Sequence, residues 1–100
     1  MKITGRRALI TGGSRGIGRG IALKLAEDGI QVAINYLKDE RSARATLEQV
    51  KARGGDGFIV QADVSEPAQV ERMFKRVRGE FGGLDIFVAN ARPEVSAFYQ

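Results

Sequence analysis

Apolar residues recur along this chain with two alternating periods. Arg7-Ala8-Leu9-Ile10-Thr11 is a short apolar run and reads as a buried strand. From Gly16 to about Asp28, the residues Ile17, Ile21, Ala22 and Leu25 return on one helical face, and Gly29 stands where a helix usually stops. Gln31-Val32-Ala33-Ile34-Asn35 reads as a second strand. Ala43, Leu47 and Val50 mark a second helix, closed by Gly54-Gly55, and Gly57-Phe58-Ile59-Val60-Gln61 reads as a third strand. Ser65 is then placed to N-cap a third helix, with Glu66 and Pro67 in its first turn. Val70, Met73, Phe74, Val77 and Phe81 form its apolar stripe, which reads as core and not as a ligand surface. Gly82-Gly83 breaks that helix, and Leu84 to Ala89 reads as a fourth strand. Beyond Asn90 the pattern fades, and Pro93 argues against a further central strand.

The predicted order is βαβαβαβ, an α/β chain with a parallel sheet and helices on both faces. Right-handed crossovers carry strands 1, 2 and 3 outward in one direction. A third helix on the opposite face returns strand 4 to the side of strand 1. The expected strand order is 3-2-1-4, the first part of a doubly wound, Rossmann-type sheet. Residues 1–100 read as one unit with no linker or repeat.

Composition narrows the chemistry. The apolar share of 43% and charged share of 28% are those of a globular domain. No run approaches the ~18–20 apolar residues of a membrane span. The start, Met1-Lys2-Ile3-Thr4-Gly5, leads at once into a strand, so no signal peptide is expected and the expected setting is cytoplasmic. The chain has no cysteine and no histidine, which excludes disulfides, thiol catalysis, histidine bases and the usual zinc sites. The net charge is +4, but the basic residues are interleaved with acids: Arg72, Lys75, Arg76 and Arg78 with Glu71 and Glu80, and Arg41, Arg44, Lys51 and Arg53 with Glu40 and Glu48. These read as solvated helix faces, and no nucleic-acid or membrane partner is expected.

The informative segment is Thr11-Gly12-Gly13-Ser14-Arg15-Gly16-Ile17-Gly18, between the first strand and the first helix. Glycines at 12, 16 and 18 let the backbone turn tightly and approach a pyrophosphate. The helix N-terminus then offers free N–H groups and a partial positive charge to the anion. A glycine loop alone is a weak signal. Between a strand and a helix of a βαβ unit it is a strong one. The spacing is Thr-Gly-x-x-x-Gly-x-Gly, and no Lys-Ser or Lys-Thr follows the last glycine, so it is not a Walker loop.

Thr11 to Gly18 resembles the cofactor fingerprint of the short-chain dehydrogenase/reductase family. The resemblance continues through Arg19 to Gly29, then Ala62-Asp63-Val64-Ser65, then Leu84-Asp85-Ile86-Phe87-Val88, in the family's order and spacing. It implies that Gly12, Ser14, Arg15, Gly16, Ile17 and Gly18 wrap the pyrophosphate and adenosine ribose. It implies that Asp63 accepts a hydrogen bond from the adenine amino group, with Val64 packing on the base. The bland alternative for Asp63 is a turn or helix-capping aspartate. Asn90 and Ala91 are implied to line the riboses, and Asp85 reads as a strand-start residue that could brace the loop.

The resemblance also bears on which dinucleotide is taken. NAD-selective members carry an acid at the end of strand 2 for the ribose 2′-hydroxyl. Here that corner, counted with the cofactor-binding residues, reads Asn35-Tyr36-Leu37-Lys38 with no acid at 35 or 36. Arg15 can reach the same corner and pair with a 2′-phosphate. NADP(H) is therefore expected over NAD(H).

Two departures from the family pattern stand out. Where the family usually reads Asn-Asn-Ala-Gly, this chain reads Ala89-Asn90-Ala91-Arg92. The family's catalytic Ser, Tyr and Lys come from the later half of the fold. Tyr36 has Glu40 where a lysine four residues on would stand, and Tyr99 is followed only by Gln100. No catalytic residue and no metal ligand is therefore expected, and the chain reads as the N-terminal portion of a longer protein. Its parent is expected to be an NADPH-dependent oxidoreductase resembling the 3-oxoacyl-acyl-carrier-protein reductases, acting on an acyl-thioester or other small carbonyl substrate as a homo-oligomer. Enoyl reductases of the same family and a non-catalytic dinucleotide-binding module are the alternatives. In this portion strand 4 is expected to be an open apolar edge.

Overall fold

The computed structural model describes residues 6–14 and 16–90. Strands β1 (Arg7–Thr11), β2 (Gln31–Tyr36), β3 (Gly57–Gln61) and β4 (Ile86–Ala89) alternate with helices α1 (Gly16–Glu27), α2 (Glu40–Ala52) and α3 (Pro67–Phe81). The strands form one parallel sheet in the order β3-β2-β1-β4, as the crossover argument requires. Ala8 stands opposite Val32 on one side and Ile86 on the other, which aligns the carboxyl ends of β1, β2 and β4.

The pleat divides the core in two. Ala8, Ile10, Val32 and Ile34 point to one face, where they meet Ala22, Leu23 and Ala26 of α1 and Ala43 and Val50 of α2. Leu9, Ala33 and Val60 point to the other, against Met73 and Val77 of α3. β1 and β2 are thus apolar on both sides, as strands central to a parallel sheet must be. β4 is different. Its other edge pairs with no strand among the described residues, and Phe87 is 49% exposed, set edge-to-face with Phe74 at a ring distance of 5.2 Å. Among the described residues, no helix is long and apolar enough to cross a membrane.

Two local details differ from expectation. The N-cap of α3 is Glu66, not Ser65, and it makes no side-chain capping bond. The ring of Pro67 holds the preceding residue in extended geometry, so Glu66, at φ −108° and ψ 108°, must be the last non-helical residue. Ser65 falls one place too early, and its hydroxyl donates instead to Asp63 Oδ1 at 2.6 Å. β4 begins at Ile86, two residues later than the apolar run, because Asp85 is drawn to Arg7. The Arg7 N–H and Nε both donate to Asp85 Oδ2 at 2.9 Å, and Asp85 N–H donates to the Arg7 carbonyl. This brace joins the amino ends of β1 and β4, the edge of the sheet opposite the glycine loop.

Candidate functional site

The carboxyl ends of the strands carry every described residue that the sequence assigned to the cofactor, whereas Asp85, expected at a strand start where it could brace the loop, binds Arg7 at the opposite, amino edge of the sheet and braces the strands instead. Gly12, Ser14, Gly16, Ile17 and Gly18 join β1 to α1, Asn35 and Tyr36 end β2, Asp63 and Val64 follow β3, and Asn90 follows β4. Arg15 and Ala91 lie outside the described residues. The chain reverses its direction of sheet growth between β1 and β4. Outside the carboxyl ends at such a reversal is where open α/β sheets receive ligands.

The glycine loop is shaped by its own backbone. Gly12 and Gly16 have φ of 67° and 63°, left-handed geometry that a Cβ would strain. Gly18 is needed for a different reason. A Cβ there would overlap the Gly12 carbonyl oxygen and stand 2.7 Å from Asn90 Nδ2. The first turn of α1 therefore packs directly on the loop that precedes it. Ile17, in that same turn, is 78% exposed. No acid stands in this first turn. The sequence places Arg15 immediately before it, a side chain that can donate hydrogen bonds but not accept them.

Neighbouring strands then pin the loop. The Asn90 amide donates from Nδ2 to the Gly12 carbonyl at 3.1 Å, and its backbone N–H donates to Thr11 Oγ1 at 3.0 Å. Thr11 Oγ1 in turn donates to the Val88 carbonyl. The Asn35 Oδ1 accepts the Gly12 N–H at 3.3 Å, and the Asn35 carbonyl accepts the Gly13 N–H at 3.2 Å.

Asn35 has a place that the sequence did not suggest. Its side chain is buried, at 2% exposure, and faces inward. Its Nδ2 donates to the carbonyls of Val60 and Ala62, at 3.3 and 3.2 Å. Asn35 thus ties the glycine loop to the loop that leads into Asp63, and all of its bonds go to protein backbone. Tyr36, next along, is half-buried and its hydroxyl donates to Glu40 Oε1 at 3.4 Å. Burial first, then the Glu40 charge, raises the Tyr36 phenol above its ordinary pKa.

Asp63 sits in a turn of its own making. Its Oδ1 accepts both the N–H and the hydroxyl of Ser65, at 2.9 and 2.6 Å, and these bonds hold its carboxyl below the usual range. Its backbone N–H donates to Gln69 Oε1. The turn reading of Asp63 is therefore realised, and both bonds end on one oxygen. Val64 is half-buried against the α3 side of the core.

Other residues that shape the site carry no recognisable motif. Thr46 of α2 is fully buried, and its hydroxyl donates to the Ser14 carbonyl at 2.6 Å. Arg19 of α1 donates to Thr46 Oγ1, Ser14 carbonyl and Ser42 carbonyl. The one sequence signal for Thr46 is its position. It is a hydroxyl within the apolar stripe of Ala43, Leu47 and Val50, where a polar group must find a buried partner.

The comparisons with known proteins agree with this architecture. The chain is 50% identical over 91 residues to a 3-oxoacyl-[acyl-carrier-protein] reductase of Staphylococcus aureus, covering 91% of this chain and 37% of that protein. It is 40% identical over 93 residues to a hydroxynaphthalene reductase-like protein of Metarhizium robertsii, covering 93% of this chain and 35% of that one. Among solved structures, a short chain dehydrogenase from Burkholderia cenocepacia in complex with NADP superimposes with a TM-score of 0.86 at 47% identity, covering 91% of this chain and 37% of that chain. A dehydrogenase/reductase from Sinorhizobium meliloti gives 0.88 at 36% identity, covering 90% and 36%. The chain thus spans little more than a third of the length of these relatives. The family model for short chain dehydrogenases matches residues 6–97, nearly the whole sequence, and with the fingerprint loop in place between β1 and α1 the chain belongs to that family.

Proposed function

We propose that this chain is the dinucleotide-binding portion of an oxidoreductase, and that it holds NADP(H). The observation that carries the proposal is the junction of β1 and α1. There a glycine loop with left-handed turns meets a helix N-terminus free of acids, at the reversal point of the sheet. The residues fit a dinucleotide on their own chemistry. Gly12, Ser14, Gly16, Ile17 and Gly18, with Arg15, would hold the pyrophosphate. Asp63 and Val64 would meet the adenine, and Asn90 and Ala91 the riboses. Tyr36 stands at the corner where an NAD-selective chain would carry an acid. Asn35 would act from behind the loop.

The bound nicotinamide would supply the hydride, and groups from outside this chain would supply the proton. The likeness to 3-oxoacyl-[acyl-carrier-protein] reductases supports a 3-oxoacyl thioester as the substrate class of the whole protein.

Titration of the chain with NADPH and separately with NADH, followed by nicotinamide fluorescence, tests the reading. Tighter binding of NADPH, weakened by Arg15→Ala, is the expected result. A chain that is folded by circular dichroism yet binds neither dinucleotide would overturn it.

A further inference from the structure

A threonine in the middle of a helix ordinarily turns its hydroxyl back to the carbonyl four residues earlier. For Thr46 that carbonyl belongs to Ser42. Here Arg19 Nη2 holds the Ser42 carbonyl at 3.2 Å, and the Thr46 hydroxyl points across to the Ser14 carbonyl at 2.6 Å. The Thr46 hydroxyl oxygen accepts Arg19 Nε at 2.7 Å, and Arg19 Nη2 donates to the Ser14 carbonyl at 2.8 Å. The Ser14 carbonyl thus receives two donors, from two different helices. The Thr46 hydroxyl is used as both donor and acceptor at complete burial.

From this clasp we infer that Thr46, together with Arg19, is a positioning residue for the phosphate loop, setting dinucleotide affinity without touching the dinucleotide. The inference rests on the proposed function for its ligand, though not for its geometry. A peptide unit is planar, so fixing the Ser14 carbonyl fixes the plane of the peptide through which the loop enters α1. Glycines make that loop pliable, and a pliable loop must be held from outside if its N–H groups are to converge on one anion. Asn35 and Asn90 hold its first residue, Gly12, and the Thr46–Arg19 clasp holds Ser14. Through the clasp, the position of α2 is coupled to the geometry of the loop.

Thr46→Val keeps the shape and removes the hydroxyl, whereas Thr46→Ser keeps the hydroxyl and removes a methyl. In the full chain, Thr46→Val is expected to weaken NADPH binding about tenfold, the scale of a buried carbonyl losing a donor. Thr46→Ser is expected to restore it to within about twofold. Amide hydrogen exchange without cofactor should quicken at residues 12–18 in Thr46→Val and stay unchanged in β1 and β2. Should Thr46→Val not fold, Arg19→Lys carries the same expectation, because it keeps the charge but loses the fork that spans Thr46, Ser14 and Ser42. A folded variant with unchanged affinity and unchanged loop exchange overturns the inference, as does a loss of affinity that Thr46→Ser fails to restore. If the unaltered chain binds no dinucleotide, the proposed function falls. The loop exchange alone then decides the clasp, quickening supporting it and no change overturning it.

Discussion

At the start of α2, the Asp39 carboxylate accepts the Ser42 N–H at 3.0 Å and the Ser42 hydroxyl at 2.7 Å, and Glu40 adds a second negative charge in the first turn. At the start of α1 there is no acid in the first turn, the preceding side chain is a donor-only arginine, and the large exposed side chain is Ile17. Both helices begin at the carboxyl edge of the same sheet, and both have orphan N–H groups there. α2 answers that need from its own sequence and becomes a structural support. α1 has no acid of its own in that turn, and on the proposed function its N–H groups would be met by a bound anion that the glycines let come close. On the proposed function, the difference between a self-capped helix and an anion-binding one comes down to a few residues at each N-terminus.

Four substitutions break or sharpen this contrast. The largest effect is expected from Gly18→Ala, whose Cβ would overlap the Gly12 carbonyl. It should cost about 1–3 kcal/mol by overpacking and abolish measurable NADPH binding, checked by denaturant unfolding and fluorescence titration. Next, Asp39→Ala strips α2 of its cap. Stability should fall by about 1 kcal/mol, seen as a Tm lower by roughly 4–8 °C, with a smaller effect on dinucleotide affinity.

Ile17→Glu makes the first turn of α1 resemble that of α2. The exposed acid suits the helix dipole and should leave Tm level or slightly raised. It should weaken NADPH binding by about 0.3–1 kcal/mol, an effect that fades as salt is added. Equal affinity at low salt would show that the N-terminus of α1 does not hold the anion.

The smallest effect lies at the far edge of the sheet. The hydrogen bond from the Arg7 side chain, then that from its backbone N–H, lowers the Asp85 pKa. A carboxyl with a lowered folded pKa stabilises the fold above its unfolded pKa and loses that contribution as pH falls through the folded value. The Tm gap between the parent chain and Asp85→Asn should therefore be full at neutral pH, begin to narrow only below about pH 4, the ordinary carboxylate value, and close as pH falls further through the lowered folded pKa. Dinucleotide affinity should not follow it, because the brace stands at the opposite edge from the loop.

Much of this was legible in the chain before folding, and the parts that were not share a cause. The strand order, the loop at residues 12–18 and the site at the carboxyl edge all follow from local periodicity and from crossover handedness. Capping preference points to Ser65, but the restriction that Pro67 places on Glu66 overrides it and moves the cap to Glu66. By sequence Asn35 stands beside the specificity corner, among the expected cofactor-binding residues. A strand alternates its faces, yet this asparagine is buried at the strand's end, where Gly12, Val60 and Ala62 all present backbone groups. Arg19 and Thr46 have no signature beyond a polar residue among apolar ones.

The sequence by itself determined which segments become strands and helices, because their periods are properties of neighbours a few residues apart. It also determined that the backbone between β1 and α1 can bend, because only glycine lacks a Cβ. Tertiary structure alone decided which polar groups meet. Gly12 is held by residues 23 and 78 positions away, and Ser14 by one 32 positions away. A buried donor must find an acceptor, but a linear pattern holds no information on which distant acceptor the packing of α1, α2 and the sheet will bring within 3 Å.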